Sequence, residues 1–260
     1  MTEEKIIIKN KKGKKIVGVL HIPKREHIHH KLSCVIICHG FTGFKEETHL
    51  VNLAKGLEEH YIIALRFDFT NSGESEGSWE NITITQEIED LKSVIDYVEK
   101  LDFVDKNKIG LVGHSLGGLV SIYVALQDER IKCLIGLAPA IKIGKEDTWF
   151  DINKWKEQDY LEFETFLNKY GKIKVNYSFI VDAEKYNSRE AVKEIKIPFL
   201  ILHGDKDDII PLEKGKDLYK NANEPKLLRI IEGANHDFKE KAILALIIKY
   251  VVDYFVKYLK

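Results

Sequence analysis

The sequence predicts an α/β protein whose doubly wound, mostly parallel sheet begins with antiparallel strands. Three observations lead to this prediction: short β-branched runs at the start, continuous apolar runs further on, and helical periodicity between those later runs. Continuous apolar runs suit strands that are covered on both faces, as in a parallel sheet. Alternation of strands with helices implies βαβ units with right-handed crossovers.

The opening strands are predicted at residues 6–8 and 15–20, which are short and β-branched. Residues 9–15 between them carry several lysines and a glycine, which is typical of a hairpin turn. The later strands are predicted from apolar runs at residues 34–38, 61–65, 109–112, 132–137, 199–202 and 227–231.

Four helices are predicted from apolar residues that recur with helical spacing. Residues 50–57 carry three leucines on one stripe, and residues 84–98 form a clearer stripe that Thr83 and Gln86 could cap. Residues 116–127 and 242–259 complete the set. A second capping pair, Asp237 and Glu240, is predicted to open the last helix.

Residues 141–196 interrupt this alternation, because they contain no clean strand. Such a length is too great for an ordinary loop in a compact domain. We predict an inserted cap over the strand ends, with residues 1–140 and 197–260 forming the core. The alternative is a pair of surface helices without substrate contact. The segment holds three aromatic clusters, formed by Trp149 with Phe150, by Trp155, and by Tyr160 with Phe163 and Phe166.

Bulk composition narrows the class of protein. A chain of 260 residues with 44% hydrophobic content can form one domain, and a net charge of -1 offers little attraction to nucleic acid or anionic membranes. Three cysteines argue against a disulfide framework. No signal peptide is recognisable, and the last apolar stretch is too short for a membrane span. We expect a cytoplasmic monomer or homodimer without stable membrane insertion.

The strongest chemical motif is Gly-His-Ser-Leu-Gly at residues 113–117, between a predicted strand and a predicted helix. This context is that of a nucleophile elbow, which exposes a serine Oγ on a sharp, strained turn. The two flanking glycines leave room for close backbone approach. The motif therefore predicts Ser115 as a nucleophile.

A serine nucleophile needs a base, and the base needs an orienting carboxylate, in the chain order serine, acid, histidine. Only His203 and His236 follow Ser115. His236 precedes the last helix and is the better base, whereas His203 ends an apolar strand and is interpreted as a packing or turn residue. The acid should follow the strand at residues 199–202. Of the candidates there, Asp207 is preferred for its place before an Ile-Ile-Pro turn, then Asp208 and last Asp205.

Backbone amides of Phe41 and Leu116 are predicted to form an oxyanion hole, in which each donor contributes about 3 kcal/mol. His39, which precedes the serine in the chain, is interpreted as holding the Phe41 loop. The chemistry requires no cofactor and no metal. A metal site at His27, His29 and His30 is conceivable, but a solvated loop is the simpler interpretation.

Five segments together resemble the α/β-hydrolase superfamily, and in particular its bacterial cinnamoyl and feruloyl esterases. They are residues 39–43, 66–73, 113–118, 203–207 and 232–236. The resemblance implies an eight-stranded sheet, a catalytic triad of Ser115, Asp207 and His236, an oxyanion hole from the Phe41 and Leu116 amides, and a small cap after the sixth strand.

The resemblance also implies that Tyr177 faces the substrate. One departure is the run Thr-Asn-Ser-Gly at residues 70–73, where many relatives carry Gly-His-Gly. It affects a loop near the site but no catalytic atom.

The predicted function is hydrolysis of a small-molecule carboxylic ester through an acyl-enzyme, on small or hydroxycinnamoyl esters. Alternatives are a monoacylglycerol lipase or lysophospholipase, a peptidase, and a non-catalytic binding protein on the same fold. A complete triad disfavours the last, because a binding protein has no need of one.

Overall fold

A computed structural model describes residues 2–24, 30–144, 150–165 and 170–260. His27, His29, Trp149 and Phe166, which the sequence analysis singled out, lie outside these ranges. The chain begins with an antiparallel hairpin of β1 (Thr2–Lys9) and β2 (Lys15–Ile22). Along β1, Ile6 and Ile8 are buried while Ile7 is 61% exposed, which is the alternation expected of a strand with one solvated face. The predicted hairpin is confirmed.

The remaining strands are β3 (Leu32–Cys38), β4 (Ile63–Phe67), β5 (Val104–His114), β6 (Ile131–Leu137), β7 (Tyr160–Glu164), β8 (Lys172–Asn176), β9 (Phe199–Gly204) and β10 (Lys226–Ile231). Within the described residues, the main sheet has eight strands in the order β1-β2-β4-β3-β5-β6-β9-β10. β2 is antiparallel to both of its neighbours in this sheet. The five pairs that follow in the sheet order, β4-β3, β3-β5, β5-β6, β6-β9 and β9-β10, are parallel. The prediction of a mostly parallel sheet with an antiparallel start is confirmed.

The helices are α1 (Thr48–Glu59), α2 (Ile84–Val98), α3 (Leu116–Gln127), α4 (Ile152–Gln158), α5 (Ser178–Ala183), α6 (Ser188–Ala191), α7 (Leu212–Asn221) and α8 (Lys241–Leu259). The Thr83 side chain caps α2 by accepting from the Gln86 N–H at 3.1 Å, as predicted. The second predicted capping pair is wrong. Glu240 itself precedes α8 without a side-chain cap, and the Asp237 side chain pairs with Lys239 instead.

Hydrophobic cores lie on both faces of the sheet. Along β3, Cys34 and Ile36 belong to the core beneath α2 and α3, whereas Val35 and Ile37 belong to the core beneath α1 and α8. All three cysteines are free and buried, and they behave as small hydrophobic residues, as expected. Within the described part of the chain, no helix has the length and apolar character needed to cross a membrane.

The segment between β6 and β9 contains strands that the sequence analysis did not predict. β7 and β8 pair antiparallel as a separate two-stranded sheet. Both strands alternate buried apolar residues with exposed charged ones, and the charged residues made the apolar runs too short to recognise. Phe163 and Val175 are buried, whereas Glu162 and Lys174 are exposed. Trp155 of α4 is fully buried, and its Nε1–H donates to the Val175 carbonyl at 2.8 Å. The aromatic side chains of the segment therefore continue the core that lies beneath α2 and α3.

Candidate active site

Ser115 lies at a sharp turn between β5 and α3, with a φ of 53° and a ψ of -117°. A Cβ placed at Gly113 would lie 2.2 Å from the Gly117 carbonyl oxygen, and one at Gly117 would lie 2.4 Å from the His39 carbonyl oxygen. Neither position can carry a larger residue without moving the backbone. The strained conformation of Ser115 is thus enforced by close packing on both sides, which is typical of functional positions.

His236 and Asp207 are brought together from loops that follow β10 and β9. Asp207 Oδ2 accepts a hydrogen bond from His236 Nδ1 at 2.8 Å, and both side chains are buried. The other oxygen, Oδ1, accepts from the N–H groups of Ile209 and Ile210 at 3.0 and 2.8 Å. The carboxylate is therefore fixed by its own loop and faces the imidazole ring.

The competing carboxylates have other positions. Asp205 accepts from the Gly233 N–H at 2.7 Å and so stabilises the turn before His236, while Asp208 is exposed. His203 Nε2 hydrogen-bonds the Ile210 carbonyl at 2.7 Å and lies 3.4 Å from Asp207 Oδ2. Its position agrees with the interpretation of His203 as a turn residue, here one that supports the acid.

Burial alone would raise the pKa of Asp207, but hydrogen bonds with His203 and His236 outweigh it and hold the pKa well below the usual range. The carboxylate therefore stays ionised and keeps the proton of the neutral His236 ring on Nδ1. The Nε2 atom of His236 then has a free lone pair with which it can accept a proton.

Ser115 stands between two cavities, and both are also lined by Phe41, Asp208 and Ile209. One cavity, of about 290 Å³, has a mainly apolar wall. Its apolar side chains include Leu116, Ile141, Ile143, Phe150, Phe179 and Ile210. The other, of about 380 Å³, is lined by His236 and by more polar side chains, although apolar atoms still make up most of its wall. That wall includes Thr42, Glu164, Thr165, Asn235, Asp237 and Lys239. We name them the apolar pocket and the polar pocket.

The two predicted amide donors flank Ser115 in the apolar pocket. Leu116 is the first residue of α3, where helix geometry leaves the N–H without an intrahelical acceptor. Phe41 lies in the loop after β3, and His39 fixes this loop. His39 Nδ1–H donates to the Gly40 carbonyl at 2.9 Å, and Nε2 accepts from the Phe69 N–H at 3.2 Å.

Aromatic residues from the segment between β6 and β9 pack on the Phe41 ring. Phe179 stacks on it at 4.7 Å between ring centroids, and Phe163 meets it edge-on at 5.1 Å. Tyr177, by contrast, precedes α5 and lines neither the apolar nor the polar pocket. Its contact with substrate stays a prediction.

Sequence reasoning missed two features next to this site. Ser72, in the run that departs from the relatives, has its Oγ 3.2 Å from His39 Nε2. His114 packs against His236 with ring centroids 4.7 Å apart, and its Nε2–H donates to the His236 carbonyl at 3.0 Å. The sequence gives one signal for the residues around His114. This signal is the spacing Glu-x-His at residues 47–49, a few residues after His39 and Gly40.

The eight-stranded sheet and the turn that holds Ser115 define an α/β-hydrolase. Residues 69–260 match the family model described as the prolyl oligopeptidase family. Est1E from Butyrivibrio proteoclasticus, solved with ferulic acid bound, is 30% identical with a TM-score of 0.83, and the match covers 97% of this chain and 98% of Est1E.

Two curated relatives extend the comparison. Human palmitoyl-protein thioesterase ABHD10, which is mitochondrial, is 28% identical over 227 residues, or 84% of this chain and 71% of the relative. An uncharacterized 31.7 kDa Escherichia coli protein in the traX-finO intergenic region is 25% identical over 261 residues, or 86% of this chain and 91% of that protein. The chain belongs to the prolyl oligopeptidase family of α/β-hydrolases. It is a hydrolase whose similar proteins include esterases and thioesterases, and it resembles feruloyl esterases.

Proposed function

We propose that this hydrolase is a serine carboxylic-ester hydrolase with Ser115 as nucleophile, His236 as base and Asp207 as orienting acid. The observation that carries the proposal is the position of Ser115 between the apolar and the polar pocket, in a strained turn. The polar pocket is also lined by His236, whose Nδ1 lies 2.8 Å from Asp207 Oδ2. An acyl group and its leaving group would thus have separate places on either side of one nucleophile.

In the proposed first half-reaction, His236 Nε2 takes the proton of Ser115 Oγ while Oγ attacks the ester carbonyl carbon. The tetrahedral intermediate collapses by breaking the bond to the alcohol oxygen, and His236 returns the proton to the leaving alcohol. In the second half, His236 takes a proton from water, which attacks the acyl-enzyme. The carboxylic acid leaves and Ser115 regains its proton.

Two further groups stabilise the charges that appear during this cycle. Asp207 stabilises the imidazolium form of His236 and keeps the ring in the productive tautomer. The N–H groups of Phe41 and Leu116 would donate to the oxyanion of each tetrahedral intermediate, and each is worth about 3 kcal/mol.

The apolar pocket is the proposed acyl site. At about 290 Å³ it is at the lower end of ligand pockets, which span about 300–1,000 Å³, so a short or single-ring acyl group fits best. Est1E, whose structure holds ferulic acid, supports hydroxycinnamoyl esters as one such class. Because Tyr177 lines neither pocket, the proposed acyl contacts are instead Phe41, Phe150 and Phe179.

A second candidate is hydrolysis of long-chain acyl esters or thioesters, which the similarity to the palmitoyl-protein thioesterase favours. A monoacylglycerol lipase or lysophospholipase would need the same long acyl site. The apolar pocket would then have to extend beneath residues 141–196, which we propose to be a cap over the site. The predicted cytoplasmic location and the monomer or homodimer state stay predictions.

The test is to measure initial hydrolysis rates for methyl ferulate, p-nitrophenyl butyrate, p-nitrophenyl palmitate and a palmitoyl thioester. Ser115→Ala serves as the blank, and labelling by a fluorophosphonate probe tests the nucleophile independently. Ferulate turnover comparable to butyrate supports the proposed acyl class, whereas dominant palmitate or thioester turnover supports the second candidate. Absence of labelling at Ser115, or full activity of Ser115→Ala, would contradict both.

A further inference from the structure

Three buried side chains meet behind the elbow, outside the group assigned to ester hydrolysis. Glu47 precedes α1, His49 lies in its first turn, and His114 is the last residue of β5. They are 3%, 4% and 1% exposed, respectively. One potential ligand atom from each lies within 4.8 Å of the others, and no second such group of histidine, cysteine or acidic side chains is found in the described residues.

The three atoms that face one another have no hydrogen-bond partner. They are Glu47 Oε2, His49 Nε2 and His114 Nδ1. Leaving a buried polar atom unpaired is costly, so three unpaired atoms at one point indicate that a ligand belongs there.

The opposite atoms of two of these side chains are already held. His114 Nε2 bonds the His236 carbonyl at 3.0 Å, which requires the proton to be on Nε2 and leaves the Nδ1 lone pair facing the cluster. Glu47 Oε1 accepts from the Phe44 N–H at 3.2 Å. Ligating histidines and carboxylates in metal sites are oriented in this way, by a carbonyl or an N–H on their outer side.

We propose that Glu47, His49 and His114 bind one divalent transition-metal ion, with Zn²⁺ as the best fit to two imidazoles and one carboxylate. Metal bonds of about 2.0–2.1 Å place neighbouring ligands of a tetrahedral ion about 3.3–3.4 Å apart. Glu47 Oε2 and His49 Nε2 are 3.5 Å apart, so this pair needs almost no movement. A water molecule would complete the coordination.

One water molecule alone would satisfy the cluster less well. Water has two hydrogens, whereas an ionised Glu47, His114 Nδ1 and a His49 ring with its proton on Nδ1 would present three acceptors. A cation accepts all three lone pairs at once.

The bound ion would join two parts of the molecule that are distant in sequence. Glu47 and His49 follow the loop that carries Phe41, and His114 immediately precedes Ser115. The ion would thereby fix the Phe41 loop against the elbow. This role does not depend on which substrate the enzyme hydrolyses.

Equilibrium dialysis of the purified full chain against Zn²⁺, with metal content measured by mass spectrometry, tests the proposal. Wild type should retain one equivalent more than His49→Ala, and the nearly isosteric Glu47→Gln should bind that equivalent at least about tenfold more weakly. The matched control is His60→Ala. His60 caps the C-terminal end of α1, and its Nδ1 hydrogen-bonds the Gly56 carbonyl of that helix. The zinc content of His60→Ala should equal that of wild type.

A thermal measurement gives an independent readout, because an ion that binds only the folded chain raises its melting temperature. Zn²⁺ should raise the Tm of wild type and His60→Ala, should raise that of Glu47→Gln by less, and should not raise that of His49→Ala. Circular dichroism of the metal-free variants establishes that they fold. Zinc content and Tm shifts that are the same in wild type and Glu47→Gln would overturn the proposal, as would the absence of zinc binding by wild type.

Discussion

The loops that carry Ser115, Asp207 and His236 differ from residues 141–196 in how their positions are fixed. Each of the three loops follows a strand of the main sheet, β5, β9 or β10, and is held largely by backbone hydrogen bonds. The segment between β6 and β9 packs against the rest of the molecule mostly through side chains, with rings packed around Trp155 and Phe41 and polar contacts between α5 and α2.

This difference separates the chemistry from the choice of substrate. The proposed nucleophile, base and acid need closely defined relative positions, because a displacement of about 1 Å can cost about 100-fold in rate, and the main sheet is the part of the fold that can supply them. Aromatic side chains on short helices can be replaced without moving those groups, and they form part of the apolar pocket. Changes to Ser115, Asp207 or His236 should therefore lower activity severely, whereas changes in the segment should alter selectivity.

The largest effect is expected for Asp207→Asn. The amide keeps the shape of the side chain but can no longer stabilise an imidazolium or hold the proton on Nδ1 of His236. By analogy with triads in which this replacement was made, kcat should fall about 10³–10⁴-fold, measured with p-nitrophenyl butyrate.

Asp205→Asn and Asp208→Asn are matched controls in the same loop. Asp205 bonds the Gly233 N–H and Asp208 is exposed, so each variant should stay within about tenfold of wild type. A greater loss in either control than in Asp207→Asn would mean that the acid had been assigned to the wrong residue.

The next effect tests the packing of the elbow through Gly117→Ala. The new methyl group would lie 2.4 Å from the His39 carbonyl oxygen and 2.7 Å from that of Cys38, so the loop carrying Phe41 must shift. A shift of about 1 Å at a catalytic group can cost about 100-fold, and we expect such a loss in kcat/KM. Alanine has a higher helix propensity than glycine, so a change in helix propensity would not explain a loss of activity.

Gly144→Ala is the control for that change, since among the described residues the nearest atom to its methyl group is Lys142 Cε at 3.9 Å. Its kcat/KM should match wild type. An unchanged kcat/KM in Gly117→Ala would show that the loop tolerates displacement and would weaken the role given to the Phe41 amide.

The parts predictable from sequence were those governed by local pattern. The strand-turn-helix around Ser115 requires two glycines that are visible in the sequence, and the apolar runs mark the buried strands. The order of motifs along the chain then points to His236 and to a choice among three aspartates. What selects Asp207 is the turn of its loop, which the Ile-Ile-Pro run indicated.

The parts that escaped prediction depend on contacts between distant residues. β7 and β8 are short and charged, and they form a sheet only because Trp155 and Phe163 cover one face. Glu47, His49 and His114 meet because the first turn of α1 reaches the end of β5, where the rings of His49 and His114 lie 4.6 Å apart. In a sequence, single buried histidines look like ordinary core residues.

Selectivity should respond to Phe179→Ala, which removes a ring from the apolar pocket and from the stack on Phe41. The added space should admit longer acyl groups, shifting the ratio of kcat/KM for p-nitrophenyl decanoate over butyrate upward by about tenfold. Phe255→Ala is the matched control, because its ring is equally buried but lies in the core beneath α8.

Both replacements should lose about 3–5 kcal/mol of stability, which a domain of ordinary stability tolerates at 25 °C. The chain-length ratio should change only in Phe179→Ala. The same change in both variants would mean that loosening of the whole fold, and not the wall of the pocket, controls selectivity.

The smallest expected effect concerns the contact between the core and the segment, where Glu87 of α2 is 3% exposed. Burial raises the pKa of Glu87 well above its usual value, and the nearby carboxylates of Asp90 and Asp182 raise it further. Asp182 belongs to α5 and accepts from the Thr85 N–H and Oγ1 of α2. A neutral side chain at position 87 is therefore preferred where the segment docks.

The folded chain keeps the Glu87 proton at pH values where the unfolded chain, with a pKa of about 4.3, has released it. Stability should consequently fall as pH rises from about 4.3 towards the raised pKa of the folded state. Glu87→Gln removes this titration, so its Tm should equal that of wild type near pH 4 and exceed it at pH 8, by about 2–4 °C for each kcal/mol gained. Glu89→Gln is the control on the same helix, because Glu89 makes a surface ion pair with Lys92, and it should follow the wild-type pH dependence. Parallel Tm curves for wild type and Glu87→Gln would show that Glu87 has the same charge in both states, and that the docking of α5 tolerates a third carboxylate beside Asp90 and Asp182.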